Sequence, residues 1–202
     1  MLRYARNDGK CITIRMNDDI KNACEVLRKG GIILYPTDTI WGLGCDATRE
    51  EAVKRIYEIK RRSDSKSMLT LIDSPAQLDR YVDDLPEIAP DLIECSDKPL
   101  TIIYSGAKNL AANLIAPDGT VGIRITKEAF SQKLCRQFGK PIVSTSANFS
   151  GDPAPANFSE INCEIFRLVD YVVNYRRNEM QKSKPSSIIR LEKNGVIKII
   201  RE

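Results

Sequence analysis

The stretch GGIILYPTDTIWGLGCDA, residues 30–47, decides how the rest of the chain is read. A Gly-Gly stop precedes the apolar run Ile32, Ile33, Leu34 and Tyr35, which reads as a buried strand. The strand runs into a loop with hydroxyls at Thr37 and Thr39, a carboxylate at Asp38, Trp41, and small residues at Gly42 and Gly44. Loops leaving a strand at the edge of a sheet are where α/β proteins hold ligands. Residues 35–47 are therefore a candidate wall of a binding site.

Outward from this stretch, strands and helices alternate. Upstream, 11–15 reads as a strand, and Asn17 or Asp18 as the cap of a helix with Ile20, Ala23, Cys24 and Leu27 on one face. That helix stops at Gly30. Downstream, Thr48 and Glu51 have capping-box spacing, and Ala52, Val53, Ile56 and Ile59 form the apolar stripe of the next helix. Strands are expected at 68–72, 100–104, 121–125 and 141–143, with two short helices between 75 and 97. Phe130, Leu134 and Phe138 mark another helix, followed by a polar loop at 144–157, a helix near 159–168 and a strand at 171–173. The strands 188–191 and 196–200 form a hairpin through Asn194-Gly195. The pattern predicts one α/β domain over residues 1–202, a twisted mixed parallel/antiparallel sheet with helices against it.

With 42% apolar and 29% charged residues, the composition is that of a globular protein. No apolar run is long enough for a membrane span, and MLRYARNDGK lacks the apolar segment of a secretory signal. The six cysteines contain no CxxC pair, which excludes a zinc knuckle and fits a reducing, cytoplasmic setting. The chain has no histidine, so histidine triads, histidine general bases and histidine metal sites are excluded. Chemistry must rest on Lys, Arg, carboxylates, hydroxyls and backbone amides. The net charge of +4 supports an anionic ligand only where cations cluster.

Lys60, Arg61, Arg62 and Lys66 form one such cluster, readable as a solvated helix end or as a phosphate clamp. Ser144, Thr145, Ser146 and Asn148 follow a strand and suit either a capping turn or phosphate oxygens. Lys182, Lys184, Ser186 and Ser187, preceded by Arg176 and Arg177, form a basic turn. Arg124 and Arg201 sit inside apolar strands, where each needs an anion or a cleft. Neither a GxxxxGK[ST] loop nor GxGxxG is present.

In this order and spacing the clusters resemble the YrdC-type family of threonylcarbamoyl-AMP synthases. The resemblance is carried by YPTDTIWGLGCDA at 35–47, K-x-R at Lys60 and Arg62 with Lys66, KPLT at 98–101, VGIRI at 121–125, STSAN at 144–148 and PSSII at 185–189. It implies a twisted mixed sheet around a basic concave cleft. It implies synthesis of threonylcarbamoyl-AMP and pyrophosphate from L-threonine, bicarbonate or CO2, and ATP, with Mg²⁺ accompanying the ATP. The adenylate would pass to a tRNA-modifying transferase complex that acts on adenosine 37 of tRNAs reading ANN codons.

Carried over by residue, Lys60 and Arg62 are the expected catalytic pair. Together with Lys66, Thr101, Ser146, Asn148 and Arg201 they would bind ATP. Thr37, Thr39, Arg124, Ser144 and Ser187 would line the threonine and carbamate side. Asp38 is left open between orienting the amine, meeting Mg²⁺ and closing its own turn. Ser63, Lys98 and Leu71 depart from the family pattern of Pro, Gly and His at these positions. Ending near Arg201, the chain resembles the short form without an additional C-terminal domain. The alternative is a YrdC-like paralogue acting as a non-catalytic RNA-binding protein through the basic cleft. An aromatic content of 6% supplies few stacking platforms for that role.

Overall fold

In chain order, the computed structural model contains α1 (Ala5–Arg28), β1 (Ile33–Tyr35), β2 (Gly42–Gly44), α2 (Glu50–Lys60), β3 (Leu69–Ile72), α3 (Ala89–Glu94) and β4 (Leu100–Ser105). There follow β5 (Thr120–Ile125), α4 (Ala129–Phe138), β6 (Ile142–Ser146), α5 (Cys163–Leu168), β7 (Tyr171–Val172), β8 (Ser187–Leu191) and β9 (Ile197–Arg201). The structure describes residues 5–61, 68–180 and 185–202. Its described strands form one sheet in the order β7-β1-β2-β6-β3-β5-β4-β8-β9. β1/β7, β3/β5 and β4/β8 are parallel and the remaining neighbours antiparallel, as expected of a mixed sheet.

Two cores hold this sheet. The larger joins α1, α2 and α4 to the β1, β2 and β6 half through residues such as Leu27, Leu34, Ile56, Phe130 and Val143. The smaller packs α3 and the 3-10 turn Pro75–Arg80 against Ile102, Tyr104 and Ile123. Strand β9 lies outside both, is exposed throughout, and is offset by a bulge at Ile188/Ile189.

Three local expectations are corrected. Residues 11–15 belong to α1, which runs without interruption from Ala5 to Arg28 and so leaves Asn17 and Asp18 inside the helix rather than capping it. Burial of Met16, Ile20, Ala23, Cys24 and Leu27 on one face outweighs the strand preference of Ile12 and Thr13. The Thr48/Glu51 capping box does not form. Thr48 donates its hydroxyl to Asp46 Oδ1 at 2.6 Å, and Arg49 caps α2 without a side-chain bond.

Gly42–Gly44, read as loop, is a strand between β1 and β6. Glycine suits it because both neighbouring strands approach closely: a Cβ on Gly44 would lie 2.6 Å from Tyr35 Cε1 and 3.0 Å from the Val143 carbonyl. Gly122, in β5, would meet only ordinary contacts at 3.4 Å or more. Gly44→Ala is therefore expected to lose about 1–3 kcal/mol in a denaturant titration. Gly122→Ala should change stability by less than about 1 kcal/mol. Equal effects would show that the β1–β2–β6 approach is not the constraint.

Candidate active site

Side chains alternate across a strand, so β4 and β5 present two different faces. Thr101, Ile103, Gly122 and Arg124 point into a cavity of about 420 Å³, whereas Ile102, Tyr104 and Ile123 point into the smaller core. The 35–47 stretch adds Thr39, Ile40, Trp41 and Gly42 to the cavity wall, and β6 adds Ser144, Thr145 and Ser146. The C-terminal strands close it with Ser186, Ile188 and Arg201. Among the described residues its charged lining is two arginines, with no carboxylate.

Arg124 is 2% exposed, and its Nη2 lies 2.9 Å from Asp38 Oδ1. Burial pushes the Asp38 carboxyl above its ordinary value, with Arg124 opposing, and pushes the Arg124 guanidinium down, with Asp38 opposing. The pair is thus a mutual requirement of two desolvated charges rather than a gain in stability. Asp38, left open by the sequence, is the partner of the buried arginine.

Arg201 donates from Nε and Nη2 to the Ser186 carbonyl at 3.0 and 2.7 Å, and the hydroxyls of Thr101 and Ser186 lie 2.9 Å apart. Trp41 is buried at the wall, tilted against Phe158 with ring centroids 4.7 Å apart.

Of the expected site residues, the structure brings Thr39, Thr101, Arg124, Ser144, Ser146 and Arg201 into one cavity. Four others stand elsewhere. Thr37 is spent inside its own turn, donating its hydroxyl to the Ile40 carbonyl at 2.7 Å and accepting from Thr39 N at 3.1 Å. Ser187 pairs with Leu100 and so faces away, while Ile188 pairs with Thr101; Ser186 takes the expected place. Asn148 accepts from Ser146 Oγ at 2.5 Å and donates to the Asp152 carbonyl at 2.6 Å. Lys60 is buried behind the wall, donating to the carbonyls of Ser146 and Asn148 at 2.6 and 2.8 Å. Ser144, Thr145 and Ser146 belong to β6 rather than to a loop, which is what aims Ser144 and Ser146 inward.

The cationic runs disperse. Arg61 turns to Glu164 at 2.6 Å and covers the Phe149 ring, and Arg176 pairs with Glu179 at 2.8 Å. Arg62, Lys66, Lys182 and Lys184 lie outside the described residues. Trp41 was expected only as part of the 35–47 wall and Ser186 only as part of the basic turn, and Gly122 was not singled out; period-two alternation within the strands is the signal that finds Ser186 and Gly122.

Among the described residues no group of three or more His, Cys, Asp or Glu converges as for a metal. The cavity lining therefore does not fit a protein-ligated Mg²⁺. No described helix is long and apolar enough to cross a membrane.

A family model described as telomere recombination, Sua5_yciO_yrdC, matches residues 25–202. The chain belongs to the Sua5/YciO/YrdC family. Within it, a threonylcarbamoyl-AMP synthase of Pseudoalteromonas translucida is 35% identical over 158 residues, 77% of this chain and 84% of that protein. Escherichia coli YciO superposes with a TM-score of 0.77 at 28% identity, covering 91% of this chain and 88% of YciO. P. abyssi Sua5, solved as a complex with L-threonine, superposes with a TM-score of 0.76 at 27% identity over 85% of this chain. The chain spans half the length of that Sua5. The mixed sheet with flanking helices is thus the fold of the family.

The direction of the Asp38 shift has a pH consequence. Its folded-state carboxyl holds the proton more tightly than the ordinary value of 3.8, so its contribution to stability is complete below that value. That contribution is lost as the pH rises through the folded value. In thermal denaturation, the melting temperature of Asp38→Asn minus that of wild type is expected to increase as the pH is raised from about 3.5 to about 7. A decreasing difference would mean that attraction to Arg124 outweighs burial.

Proposed function

We propose that the chain is an L-threonylcarbamoyladenylate synthase, a nucleotidyltransferase acting in the cytoplasm. The observation that carries this reading is the 420 Å³ cavity. Among the described residues two arginines are its charged lining, and the hydroxyls of Thr39, Thr101, Ser144, Ser146 and Ser186 share it. All the reacting groups are anionic: the threonine carboxylate, the carbamate and the ATP triphosphate. The carbamate forms from the unprotonated threonine amine and CO2, and its oxygen attacks the α-phosphorus while pyrophosphate leaves. Such a reaction needs charge neutralisation and alignment, and no histidine.

In this assignment Arg124 takes the threonine carboxylate, oriented by Asp38, with Thr39 and Ser144 beside it. Arg201, Thr101 and Ser146 face the nucleotide. Arg62 and Lys66 are assigned to the triphosphate on the family resemblance alone. Lys60 acts by fixing the carbonyls of the 146–148 turn. A Mg²⁺ accompanying the ATP would be held by the triphosphate rather than by this lining, and would supply charge neutralisation there. The adenylate goes to a transferase that modifies adenosine 37 of tRNAs reading ANN codons. A cleft of this volume suits small substrates better than an RNA surface, and Trp41 is packed against Phe158 rather than offered for base stacking.

Pyrophosphate release from ATP, with threonine or bicarbonate omitted in turn, tests the reading. Release should require both, and release indifferent to threonine would overturn it. In Asp38→Asn/Arg124→Met, which leaves no unpaired buried charge, the threonine KM should rise about 10- to 100-fold, the worth of a charged hydrogen bond. Lys60→Ala is expected to lower turnover and melting temperature together. Arg62→Ala should lower turnover alone; a stable, fully active Lys60→Ala protein would show that the 146–148 turn needs no tether.

A further inference from the structure

A second cavity, of about 430 Å³, opens on the other face of β4 and β5. Its floor is Leu100, Ile102, Tyr104, Ile123 and Ile125, the residues that alternate with those of the first cavity. Its lining differs from that of the first, and among the described residues the two meet only through the Asp38–Arg124 pair.

Two of its polar groups are incompletely satisfied. Tyr104 is 1% exposed, and its hydroxyl has no hydrogen-bond partner among the described residues. Buried tyrosine hydroxyls ordinarily find one. Asp38 also lines this cavity: its Oδ1 is enclosed against Arg124 at 2.9 Å, so the exposed tenth of its side chain, and with it the other carboxyl oxygen, is what can face a ligand here.

Four of the six neighbouring charged residues are already engaged. Glu128 Oε2 accepts from Ser131 N at 2.8 Å, and Arg176 holds Glu179 at 2.8 Å, Glu128 at 3.4 Å and the Thr37 carbonyl at 3.1 Å. Lys127 is tied to the carbonyls of Ile93 and Ser96 at 3.3 and 2.9 Å. The lining carries the carboxylates of Asp38, Asp97, Glu128 and Glu179 against the cations of Lys98, Lys127 and Arg176, so its sign is opposite to that of the first cavity. Apart from Asp97 and Lys98, which are exposed and of opposite charge, what remains is an acceptor at Asp38, a hydroxyl at Tyr104 and apolar area between.

We propose that this cavity is a binding site for a small amphipathic amine, its ammonium on Asp38, its apolar body over Ile102, Ile123 and Ile125, and a hydroxyl or amide group meeting Tyr104. An ammonium is the head group that supplies a buried carboxylate with both charge and donors. An apolar body with one or two placed polar groups is the usual match to a cavity of this size and lining.

Tyramine carries both features and serves as the probe, measured by isothermal titration calorimetry on the whole chain. Phenethylamine lacks its hydroxyl, and 3-(4-hydroxyphenyl)propanoate replaces its amine by an acid. Tyramine should bind saturably, and the acid at least about tenfold more weakly. Tyr104→Phe should weaken tyramine about fivefold, the worth of one hydrogen bond, and leave phenethylamine unchanged. Absence of saturable tyramine binding, equal binding of the acid, or displacement of tyramine by L-threonine would overturn the proposal. So would an equal loss of both amines in Tyr104→Phe.

Discussion

A guanidinium inside an apolar sheet has to be given an anion, and the arrangement of this molecule around the first cavity follows from how that is done for Arg124. Its strand position is fixed by β5 pairing with β3 and β4, so the anion must come to it. The turn after β1 brings Asp38 to within 2.9 Å, and the hydroxyl of Thr37 holds that turn closed. The chain then returns as β2, whose Gly44 is small enough to lie between Tyr35 and Val143. The loop that looked like a ligand-facing wall is therefore first a device for compensating a charge, and its wall is what remains exposed once that is done.

The other motifs divide in the same way between holding and facing. Lys60 and Asn148 lock the end of β6 from behind, and this sets Ser144 and Ser146 on the cavity side. Asp19, a buried residue on α1, accepts from Tyr171 Oη at 2.5 Å and Tyr175 N at 2.8 Å, pinning the far end of the sheet to the helix. Polar residues of a family motif are thus not all ligand contacts. A buried hydroxyl or ammonium that spends its hydrogen bonds on backbone carbonyls is shaping the site instead.

How much could be read beforehand follows from what each signal encodes. Helical stripes such as Ala52, Val53, Ile56 and Ile59 report burial directly, and those helices stand where they were expected. Residues 11–15 were misread because β-branched residues carry a local preference that a long helix packed on the sheet overrides. β2 was missed because a Gly-Leu-Gly strand has no side-chain alternation to detect; its reason for existing is the width of the gap it fills. Motif order brought six site residues to one cavity, yet it misplaced Ser187 by one position. The face of a strand is set by register, and register is a property of the partner strand.

The position of β9 bears on where the molecule is weakest. Among the described residues that strand ends the sheet, belongs to neither core, pairs with β8 alone, and carries Arg201, one of two cavity arginines. Opening free energy varies across a structure and is smallest where few apolar contacts must be given up. Fraying of this edge would remove a wall and a positive charge from the cavity while both cores stayed closed, so the site has a lower melting threshold than the fold that carries it.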